Sequence, residues 1–536
     1  MHSCQLSRRS PARSLTILLS LAFLSALAVP AQSQDVLTYH NNNARNGLDS
    51  NETTLTLANV KSATFGKLFT VAANGAVDAQ PLYLSAVSIA GVTHNLLIVA
   101  DEAGFVRGWD ADTGVRLWQR YTPKKGETPS DDRGCGQVSP QIGVTATPVI
   151  TRPAGSNPVI YVTAMSKDAS GNYHQRLHAL DATTGVELFK GPAEIQAKYP
   201  GSGDNSDGTN VIFDPSQYKE RPGLLWINGT VYLAFSSHCD TRPYTGWIMG
   251  YNGSTLAQTS VLNLTPDAND GAIWNAGAGM AADNSGNIFV AEANGVFDTT
   301  LTAAGFPIDG DYGNALLRIS TTSGLAVTDY FEMFNQDDEN LHDTDLGSGG
   351  ALLVSLNDTT GKTWNLAVAA GKDENLYLVN RANLGKYNTT TNKIYQQLTG
   401  VLPQGIWSAP AYFNGKLYYG PKDSPILAFQ FKNAKLQPAP VAKSTHSFGY
   451  PGATPSISAN GTTNGIVWVA ENVSPAVLHA YNATTLVEIY NSNQAAGGRD
   501  HFGAGNKFVT ITIANGKVYV PTTTGVGVFG LLSPPK

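Results

Sequence analysis

The chain has 536 residues, of which 42% are hydrophobic and 14% are charged, and its formal net charge is −6. This length allows a large buried core, and the acidic balance argues against nucleic acid and anionic membranes as partners. The 54 glycines, together with the scarcity of Lys, Glu and Arg, favour many short strands joined by tight turns over long surface helices.

Residues 1–31 have the pattern of a secretory signal peptide. Three arginines precede an apolar stretch, residues 15–29, which is too short for a comfortable membrane span, and the small residue Ala31 suits cleavage. No other apolar run in the sequence approaches membrane length. We therefore expect an exported protein, periplasmic or extracellular, in which residues 32–536 form one soluble domain.

Two cysteines, Cys135 and Cys239, follow the signal segment. An even pair in an oxidising compartment predicts one disulfide that closes a long loop, and two free thiols are the alternative. Neither cysteine has a partner at C-x-x-C spacing, which argues against a zinc site built on cysteine.

A three-part unit recurs along the chain. Each copy has an apolar stretch, then an apolar strand after a turn of the Asn-Gly type, then a strand that ends in a turn resembling Asp-Ala-x-Thr-Gly. Residues 79–118 and 145–189 are the clearest copies. More degenerate copies occupy residues 221–262, 274–330, 345–380, 407–437, 452–490 and 507–529.

These eight units predict an all-β fold, an eight-bladed β-propeller of four-stranded antiparallel blades. The eighth unit lacks its last strand, whereas FGKLFTVA at residues 65–72 is a spare strand before the first unit. We therefore expect this N-terminal strand to complete the last blade, which closes the ring and leaves no long exposed edge. Seven blades are the alternative if one unit has been counted as two.

The decapeptide WDADTGVRLW at residues 109–118 at first suggests a calcium loop. A helix–loop–helix calcium loop that starts at Asp110 needs Gly at its sixth position and Glu at its twelfth, and these positions hold Val115 and Tyr121. The pattern also recurs as LDATTGVELF at residues 180–189. We therefore interpret it as a structural turn, in which the aspartate binds turn amides and the aromatic residue packs between blades.

This decapeptide resembles the repeat Ala-x-Asp-x-x-Thr-Gly-x-x-x-Trp of the PQQ-like (quinoprotein alcohol dehydrogenase-like) β-propeller superfamily, where PQQ is pyrroloquinoline quinone. The resemblance covers nearly all of the chain after the signal segment. The segments TYHNNNARNG and YNSNQAAGGRD are similar to a branch of exported bacterial proteins with this fold. The superfamily contains dehydrogenases that hold PQQ and Ca²⁺ in a central funnel, and scaffold propellers that bind proteins without a cofactor, so the resemblance implies a fold and leaves the function open.

Aromatic and cationic residues gather where the first strands of the repeats begin, which is where the funnel of a propeller is lined. Trp274 or Trp407 could stack a planar ligand such as PQQ, and Lys372 or Arg499 could bind its carboxylates. Each has a structural alternative: packing between blades for the tryptophans, a hairpin turn for Lys372, and an ion pair with its neighbour for Arg499.

Carboxylates occur at the same places. Asp345 and Asp500 are the candidates for a catalytic base, and Asp343, Asp345 and Asn275 are the candidates for metal ligands, because Ca²⁺ prefers oxygen donors. The segment YHNNNARNG at residues 39–47 is too polar for a strand core, and we expect it to cap the funnel or the closing blade through hydrogen bonds, with a ligand role as the alternative.

Alcohol-oxidising quinoproteins stack the quinone on a disulfide between adjacent cysteines, and this sequence has no Cys-Cys pair. The leading prediction is therefore an exported, monomeric propeller that binds or scaffolds, with a saccharide or an envelope protein as its partner. The alternative is a PQQ- and Ca²⁺-dependent dehydrogenase that oxidises a sugar or an alcohol.

Overall fold

The computed structural model describes residues 1–2 and 35–533. The chain divides into two compact units, residues 1–32 and 33–536, and every strand and helix given below belongs to the second unit. The predicted signal peptide lies outside the described residues, apart from its first two. None of the helices in the described part of the chain is long and apolar enough to cross a bilayer.

Eight small antiparallel sheets follow one another along the second unit, which confirms the predicted eight-bladed, all-β propeller. Within each blade the strands are given from the channel outwards. Blade 1 is formed by Leu82–Ile89, Val92–Ala100, Phe105–Asp110 and Arg116–Tyr121, and blade 2 by Val149–Thr151, Val159–Lys167, Tyr173–Asp181 and Ala193–Glu194. Blade 3 is formed by Leu225–Ile227, Thr230–Ala234, Trp247–Asn252 and Gln258–Asn263, and blade 4 by Ala281–Ala282, Ile288–Ala291, Leu316–Ser320 and Ala326–Phe331.

Blade 5 is formed by Leu352–Asn357, Thr363–Ala370, Leu376–Asn380 and Gln396–Leu398, and blade 6 by Ala411–Phe413, Lys416–Tyr419, Ser424–Lys432 and Ala442–Phe448. Blade 7 is formed by Ser456–Asn460, Thr463–Glu471, Val477–Asn482 and Glu488–Asn491, and blade 8 by Thr512–Ala514, Lys517–Thr522, Gly525–Leu531 and Phe65–Ala72. The closing strand, Phe65–Ala72, pairs antiparallel with Gly525–Leu531, as predicted.

The remaining elements are short and lie outside the four-strand pattern. They are the strands Leu48–Asp49, Thr128–Asp131, Gln141–Ile142, Lys198–Pro200, Asn210–Ile212, Tyr218–Lys219, Ser236–Ser237 and Lys435–Leu436, the α-helix Gln336–Leu341, and the 3₁₀ helices Tyr39–Asn41, Asn275–Gly277, Leu346–Ser348 and Ala496–Gly498.

Asn-Gly turns set the hairpins between the first and second strands of three blades. At Asn228-Gly229 in blade 3 both residues have positive φ, 47° and 86°, and Asn414-Gly415 and Asn515-Gly516 repeat this in blades 6 and 8. Such turns match the right-handed twist of the paired strands, and Asn and Gly tolerate the left-handed conformation best. The Asn-Gly dipeptides in the sequence therefore determine these three hairpins directly.

Neighbouring blades are joined at the turn that the decapeptide defines. The Asp110 carboxylate accepts hydrogen bonds from the amides of Asp112 and Thr113 at 3.0 and 2.8 Å. The Trp118 indole then donates to the carbonyl oxygen of Ala182 in blade 2 at 2.8 Å. Because Ala182 occupies the second position of the same turn in the next repeat, the recurring turn is a structural contact between blades, as predicted.

The carbonyl oxygen at this turn position also accepts hydrogen bonds elsewhere, from tyrosines on the second strand of the preceding blade. Tyr161 of blade 2 donates to the carbonyl oxygen of Gly253 in blade 3 at 2.8 Å, and Tyr418 of blade 6 donates to that of Ala483 in blade 7 at 2.7 Å. Gly253 and Ala483 hold the same turn position as the acceptor in blade 2. The repeat therefore encodes the packing of successive blades.

The N-terminal segment, residues 36–52, runs across the central channel. The first strands of six blades donate main-chain amides to its carbonyl oxygens, and these donors are Tyr83, Ile150, Ala282, Leu353, Tyr412 and Ile457. Side chains reach the other two blades: Asn43 donates to Trp226 of blade 3 at 3.0 Å, and Glu52 accepts from Gly516 of blade 8 at 2.8 Å. One segment thus contacts every blade, which gives the polar residues 39–47 a structural role at the channel.

Arg45 anchors this segment. Its side chain is fully buried and donates to the carbonyl oxygens of Met280 and Tyr39 and to the hydroxyl of Thr38 at 2.7–2.9 Å. No carboxylate is among these acceptors, and burial lowers the pKa of the guanidinium to about 9. The guanidinium charge is therefore stabilised by carbonyl dipoles inside the channel. Burying a charge without a carboxylate partner is costly, so these hydrogen bonds must stay in place, and they fix the position of the segment.

Candidate functional site

A cavity of about 100 Å³, partly open to solvent, lies at the end of the channel where the first strands begin, and we call it the funnel cavity. Its lining residues precede the first strands of blades 3–8 or come from neighbouring loops, and include Arg221, Trp274, Asp343, Asp345, Lys372, Trp407, Tyr450, Phe508, Gln137 and Asp240. The N-terminal segment contacts the same strands further along, so it lies beneath the cavity. Tyr39 of this segment forms a buried apolar cluster there with Ala278 and Ala409.

Lys372 and two aspartates form the charged centre of the cavity. The Lys372 ammonium lies 2.5 Å from Asp343 Oδ1 and 2.6 Å from Asp345 Oδ1. The main chain brings these residues together, because the Lys372 amide donates to the carbonyl oxygen of Asp345 at 3.1 Å. Asp345 is buried, whereas the Asp343 side chain is 65% exposed, so the triad spans the wall from interior to solvent.

The local environment shifts the protonation of this triad. Burial raises the pKa of Asp345 to about 6, although the Lys372 ammonium acts in the opposite direction. Burial also acts to lower the pKa of Lys372, but the two carboxylates outweigh it and raise that pKa. The cavity therefore presents a stable ammonium beside a carboxyl group that titrates close to neutral pH.

Aromatic rings form a row on the wall of the cavity. Trp407 meets Tyr450 edge to face with ring centroids 6.0 Å apart, and Tyr450 meets Phe508 in the same manner at 6.0 Å. Trp274 also lines the cavity, and the Lys219 ammonium lies 4.3 Å from the centre of its ring. All four rings are only partly buried, so their apolar faces are accessible to a bound molecule.

A second cationic group comes from blade 3. The Arg221 guanidinium is buried, donates to the carbonyl oxygen of Thr145 at 3.1 Å, and lies 5.7 Å from the Phe508 ring centre. Lys219 is fully buried nearby, where burial, with a smaller contribution from Arg221, lowers its pKa to about 7. The cavity therefore has cationic groups from both blade 3 and blade 5.

The disulfide shapes the rim of the cavity. Cys135 and Cys239 are bonded with their Cα atoms 5.6 Å apart, which confirms the predicted pairing. Two lining residues, Gln137 and Asp240, lie within two positions of these cysteines. The bond thus ties the insertion after blade 1 to a loop of blade 3 and holds both polar side chains at the cavity.

Arg499 and Asp500 do not line the cavity. They form an ion pair at 2.7 Å, and Asp500 also accepts hydrogen bonds from the Lys67 amide and the Tyr490 hydroxyl at 3.0 and 2.8 Å. Arg499 donates to the carbonyl oxygen of Phe65 at 3.2 Å. The predicted cofactor and base roles of these two residues have no support from this placement, because both are engaged in fixing the closing strand.

Asn275 is next to the cavity but faces away from it. Its side-chain amide nitrogen donates to the carbonyl oxygens of Ala291, Gly347 and Gly349 at 2.9–3.2 Å, and the residue is buried. This amide joins blade 4 to the start of blade 5. The three predicted metal ligands are therefore not assembled: Asn275 serves the fold, and the two aspartates are paired with Lys372.

Asp240 belongs to the polar run His238-Cys239-Asp240, which the sequence places among the candidates for the funnel lining, whereas sequence reasoning did not single out Arg221, Tyr450, Phe508 and Gln137. Three of these four precede a first strand, so the rule that located Trp274 and Trp407 would also have found them. Gln137 carries no such signal, because it lies in the insertion that the disulfide brings to the cavity.

Comparison with solved structures shows which proteins have a fold similar to that of this propeller. No protein-family model matches the chain, and no curated protein does. A quinohemoprotein alcohol dehydrogenase from Comamonas testosteroni superposes with a TM-score of 0.61 at 14% identity over 95% of this chain and 82% of its own. The fold is that of the quinoprotein propellers.

Two further solved structures give the same result. Quinohemoprotein alcohol dehydrogenase ADHIIG from Pseudomonas putida HK5 has a TM-score of 0.60 at 13% identity over 94% of this chain and 81% of its own. A europium-containing methanol dehydrogenase has a TM-score of 0.58 at 13% identity over 92% and 90%. At such low identity the likeness concerns the fold alone.

The residues of the cavity fit only part of a site for PQQ and Ca²⁺. Exposed tryptophan faces and the Arg221 and Lys372 cations suit a flat, carboxylated ring. A calcium ion, however, needs six to eight oxygen ligands, and the ammonium of Lys372 already lies between the two carboxylates that would supply them. The donor set therefore does not fit a calcium ion beside the quinone.

Proposed function

We propose that this protein is an exported, monomeric binding propeller that takes a small saccharide in the funnel cavity. The observation that carries the proposal is that partly exposed tryptophan rings and the Asp343–Lys372–Asp345 triad line one cavity. Binding sites for small molecules are concave and largely apolar, with a few convergent polar groups that fix orientation.

The aromatic and the charged parts of the cavity wall match the apolar faces and the hydroxyl groups of a sugar. The C–H faces of a pyranose ring are apolar and can pack on Trp274 or Trp407, whereas its hydroxyl groups both donate and accept hydrogen bonds. The aspartates supply acceptors and Lys372 supplies a donor. Because Lys372 is paired with both carboxylates, part of their charge is already offset within the wall, and an uncharged ligand does not have to bring a counter-charge.

Two features support the remaining parts of the proposal. The disulfide between Cys135 and Cys239 is in keeping with an oxidising compartment and therefore with export. The N-terminal segment beneath the cavity favours a small ligand over a protein strand threaded through the channel.

Calorimetric titration of the purified protein with glucose, galactose, maltose and glucuronate tests the proposal, with intrinsic tryptophan fluorescence as a second signal. We expect one or more of these sugars to bind, and we expect Trp407→Ala to weaken binding at least tenfold. Trp364→Ala is the matched control, because Trp364 lies at the opposite end of blade 5 and packs on Tyr395.

Two outcomes would contradict saccharide binding. One is the absence of binding by all four sugars at millimolar concentration. The other is a cofactor spectrum with sugar- or alcohol-dependent dye reduction after PQQ and Ca²⁺ are added, which would favour the quinoprotein dehydrogenase instead. The buried Asp345, with its pKa of about 6, is the feature of this chain that makes the second experiment worthwhile.

A further inference from the structure

A second cluster of chemically active side chains lies between blades 6 and 7. His446 is near the end of the fourth strand of blade 6, Glu471 ends the second strand of blade 7, and His479 is near the start of its third strand. Because strands alternate in direction, all three positions are at the same end of their blades as the funnel cavity. Asn472, next to Glu471, donates to the carbonyl oxygen of the cavity residue Tyr450 at 3.3 Å.

Glu471 joins the two imidazoles. Its Oε1 lies 3.0 Å from His446 Nε2, and its Oε2 lies 3.3 Å from His479 Nε2. The two rings are stacked with centroids 4.8 Å apart, and one potential ligand atom from each of the three residues lies within 4.8 Å of the others. Ligand atoms around a tetrahedral zinc ion are separated by about 3.3 Å, given Zn–N distances of about 2.0–2.1 Å. The three groups are therefore already close to the spacing that one ion requires.

Glu488 adds the support that metal-binding histidines need. His479 Nδ1 lies 2.7 Å from Glu488 Oε1, and in the tautomer that carries its proton on Nδ1 this nitrogen donates to that carboxylate and leaves the lone pair of Nε2 free to bind a metal ion. An outer carboxylate of this kind fixes the tautomer and the orientation of a ligating imidazole and makes it a stronger ligand. A simple ion pair between one histidine and one carboxylate does not require this second carboxylate.

Burial and access also suit a metal centre. The side chains of His479 and Glu471 are only 5% and 15% exposed, whereas that of His446 is 40% exposed, so an ion can enter from solvent.

We propose that His446, Glu471 and His479 bind a divalent transition-metal ion, with Zn²⁺ as the preferred ion. Two imidazoles and one carboxylate favour zinc and its neighbours over Ca²⁺ or Mg²⁺, which prefer oxygen ligands alone. Three protein ligands leave a fourth position for water on the exposed side of His446. The site is separate from the saccharide cavity, and its existence does not depend on the function proposed for that cavity.

The test uses the purified full-length chain after treatment with a chelator. Titration with Zn²⁺ in a calorimeter is expected to show one ion bound, and titration with Co²⁺ is expected to give the strong visible absorption of a tetrahedral complex. His446→Ala should weaken Zn²⁺ binding at least 100-fold and abolish the Co²⁺ absorption. Because His446 is partly exposed, this variant should keep the fold, which circular dichroism can verify.

A second histidine–carboxylate cluster provides the matched control. His174 lies 2.7 Å from Glu194, but it is the only histidine there, and the Arg176 guanidinium lies 2.6 and 2.7 Å from Glu127 and Glu194. His174→Ala should therefore leave Zn²⁺ binding unchanged. Glu488→Gln should reduce affinity by a smaller factor than loss of a direct ligand, about tenfold to 100-fold.

Three results would overturn the proposal. They are the absence of Zn²⁺ binding by the wild type at micromolar concentration, Zn²⁺ binding that His446→Ala leaves intact, and loss of binding in His174→Ala. A preference for Ca²⁺ or Mg²⁺ over Zn²⁺ would equally contradict the ligand set.

Discussion

The ammonium nitrogen of Lys372 lies 2.6 Å from the Asp345 carboxylate inside the funnel, and this contact only partly offsets the burial of the carboxylate. The pKa of Asp345 is therefore raised from 3.8 to about 6. In the folded chain Asp345 keeps its proton over a pH range in which the unfolded chain has lost it. The stability that this proton provides is complete below pH 4 and is lost as the pH rises through 6.

This linkage predicts a pH-dependent effect of Asp345→Asn. The difference in unfolding free energy between variant and wild type should shift in favour of the variant by about 3 kcal/mol between pH 4 and pH 7, because asparagine does not ionise. Urea denaturation at a series of pH values measures this difference. For comparison, hydrogen bonds from Thr360 and Trp364 lower the pKa of the partly exposed Asp358 to about 2, so Asp358→Asn should show no trend above pH 5. A flat profile for Asp345→Asn would contradict the raised pKa.

The contact between Trp118 and Ala182 predicts that two substitutions of Trp118 lower the unfolding free energy by different amounts. Trp118→Phe keeps an aromatic ring but removes the indole donor, and should lower the unfolding free energy by about 1–3 kcal/mol, because it leaves a buried carbonyl without that hydrogen bond. Trp118→Ala also removes the ring and should cost about 3–5 kcal/mol. Val115→Ala, at an exposed position in the same turn, should change stability by less than about 0.5 kcal/mol. Equal losses in both Trp118 variants would show that the ring contributes little beyond the hydrogen bond, and an unchanged Trp118→Phe would show that the hydrogen bond contributes little.

The blades could be predicted from the sequence because their signals are local. The Asn-Gly turns, the repeated Asp-x-x-Thr-Gly turn and the spare strand at residues 65–72 each act over a few residues, and the structure confirms all three. The expectation that polar and aromatic residues before the first strands line the funnel picked out Trp274, Trp407, Asp343 and Asp345, which line one cavity, and Lys372 from a turn of blade 5 lines it too.

The sequence could not show which polar residues face the channel and which face a neighbouring strand. Arg499 and Asp500 have the composition of a site, but long-range pairing with Lys67 and Phe65 uses them to close the ring. The contact of residues 36–52 with all eight blades depends on the order of blades around an axis, which no local pattern encodes. The grouping of His446, Glu471 and His479 likewise arises only when two blades pack together.

The N-terminal segment provides a prediction on channel dynamics. Arg45→Ala should expose the amides of Leu353, Tyr412 and Ile457 to hydrogen exchange, because their acceptors lie on the segment that Arg45 anchors. We expect exchange of these amides to accelerate at least tenfold, together with a loss of about 2–4 kcal/mol in unfolding free energy. Arg152→Ala is the matched control.

Arg152 forms an ion pair with Asp35 at 2.6 Å on a partly exposed surface. Its replacement by alanine should therefore lower the unfolding free energy by less than about 1 kcal/mol and leave the three amides protected from exchange. Unchanged exchange in Arg45→Ala would mean that the main-chain hydrogen bonds hold the segment without the guanidinium. Hydrogen exchange with mass spectrometry resolves the peptides that contain the three amides.

The disulfide links stability to the proposed binding site. Replacement of Cys135 and Cys239 by serine should lower the unfolding free energy by about 2–5 kcal/mol, because the bond closes a loop between positions 104 residues apart. It should also weaken saccharide binding, since Gln137 and Asp240 depend on the bond for their place at the rim. Asp240→Asn in the disulfide-bonded chain should weaken binding without the loss of stability. If the double serine variant binds as tightly as the wild type, the rim residues take no part in ligand recognition and the binding energy comes from the tryptophan wall and the Lys372 triad.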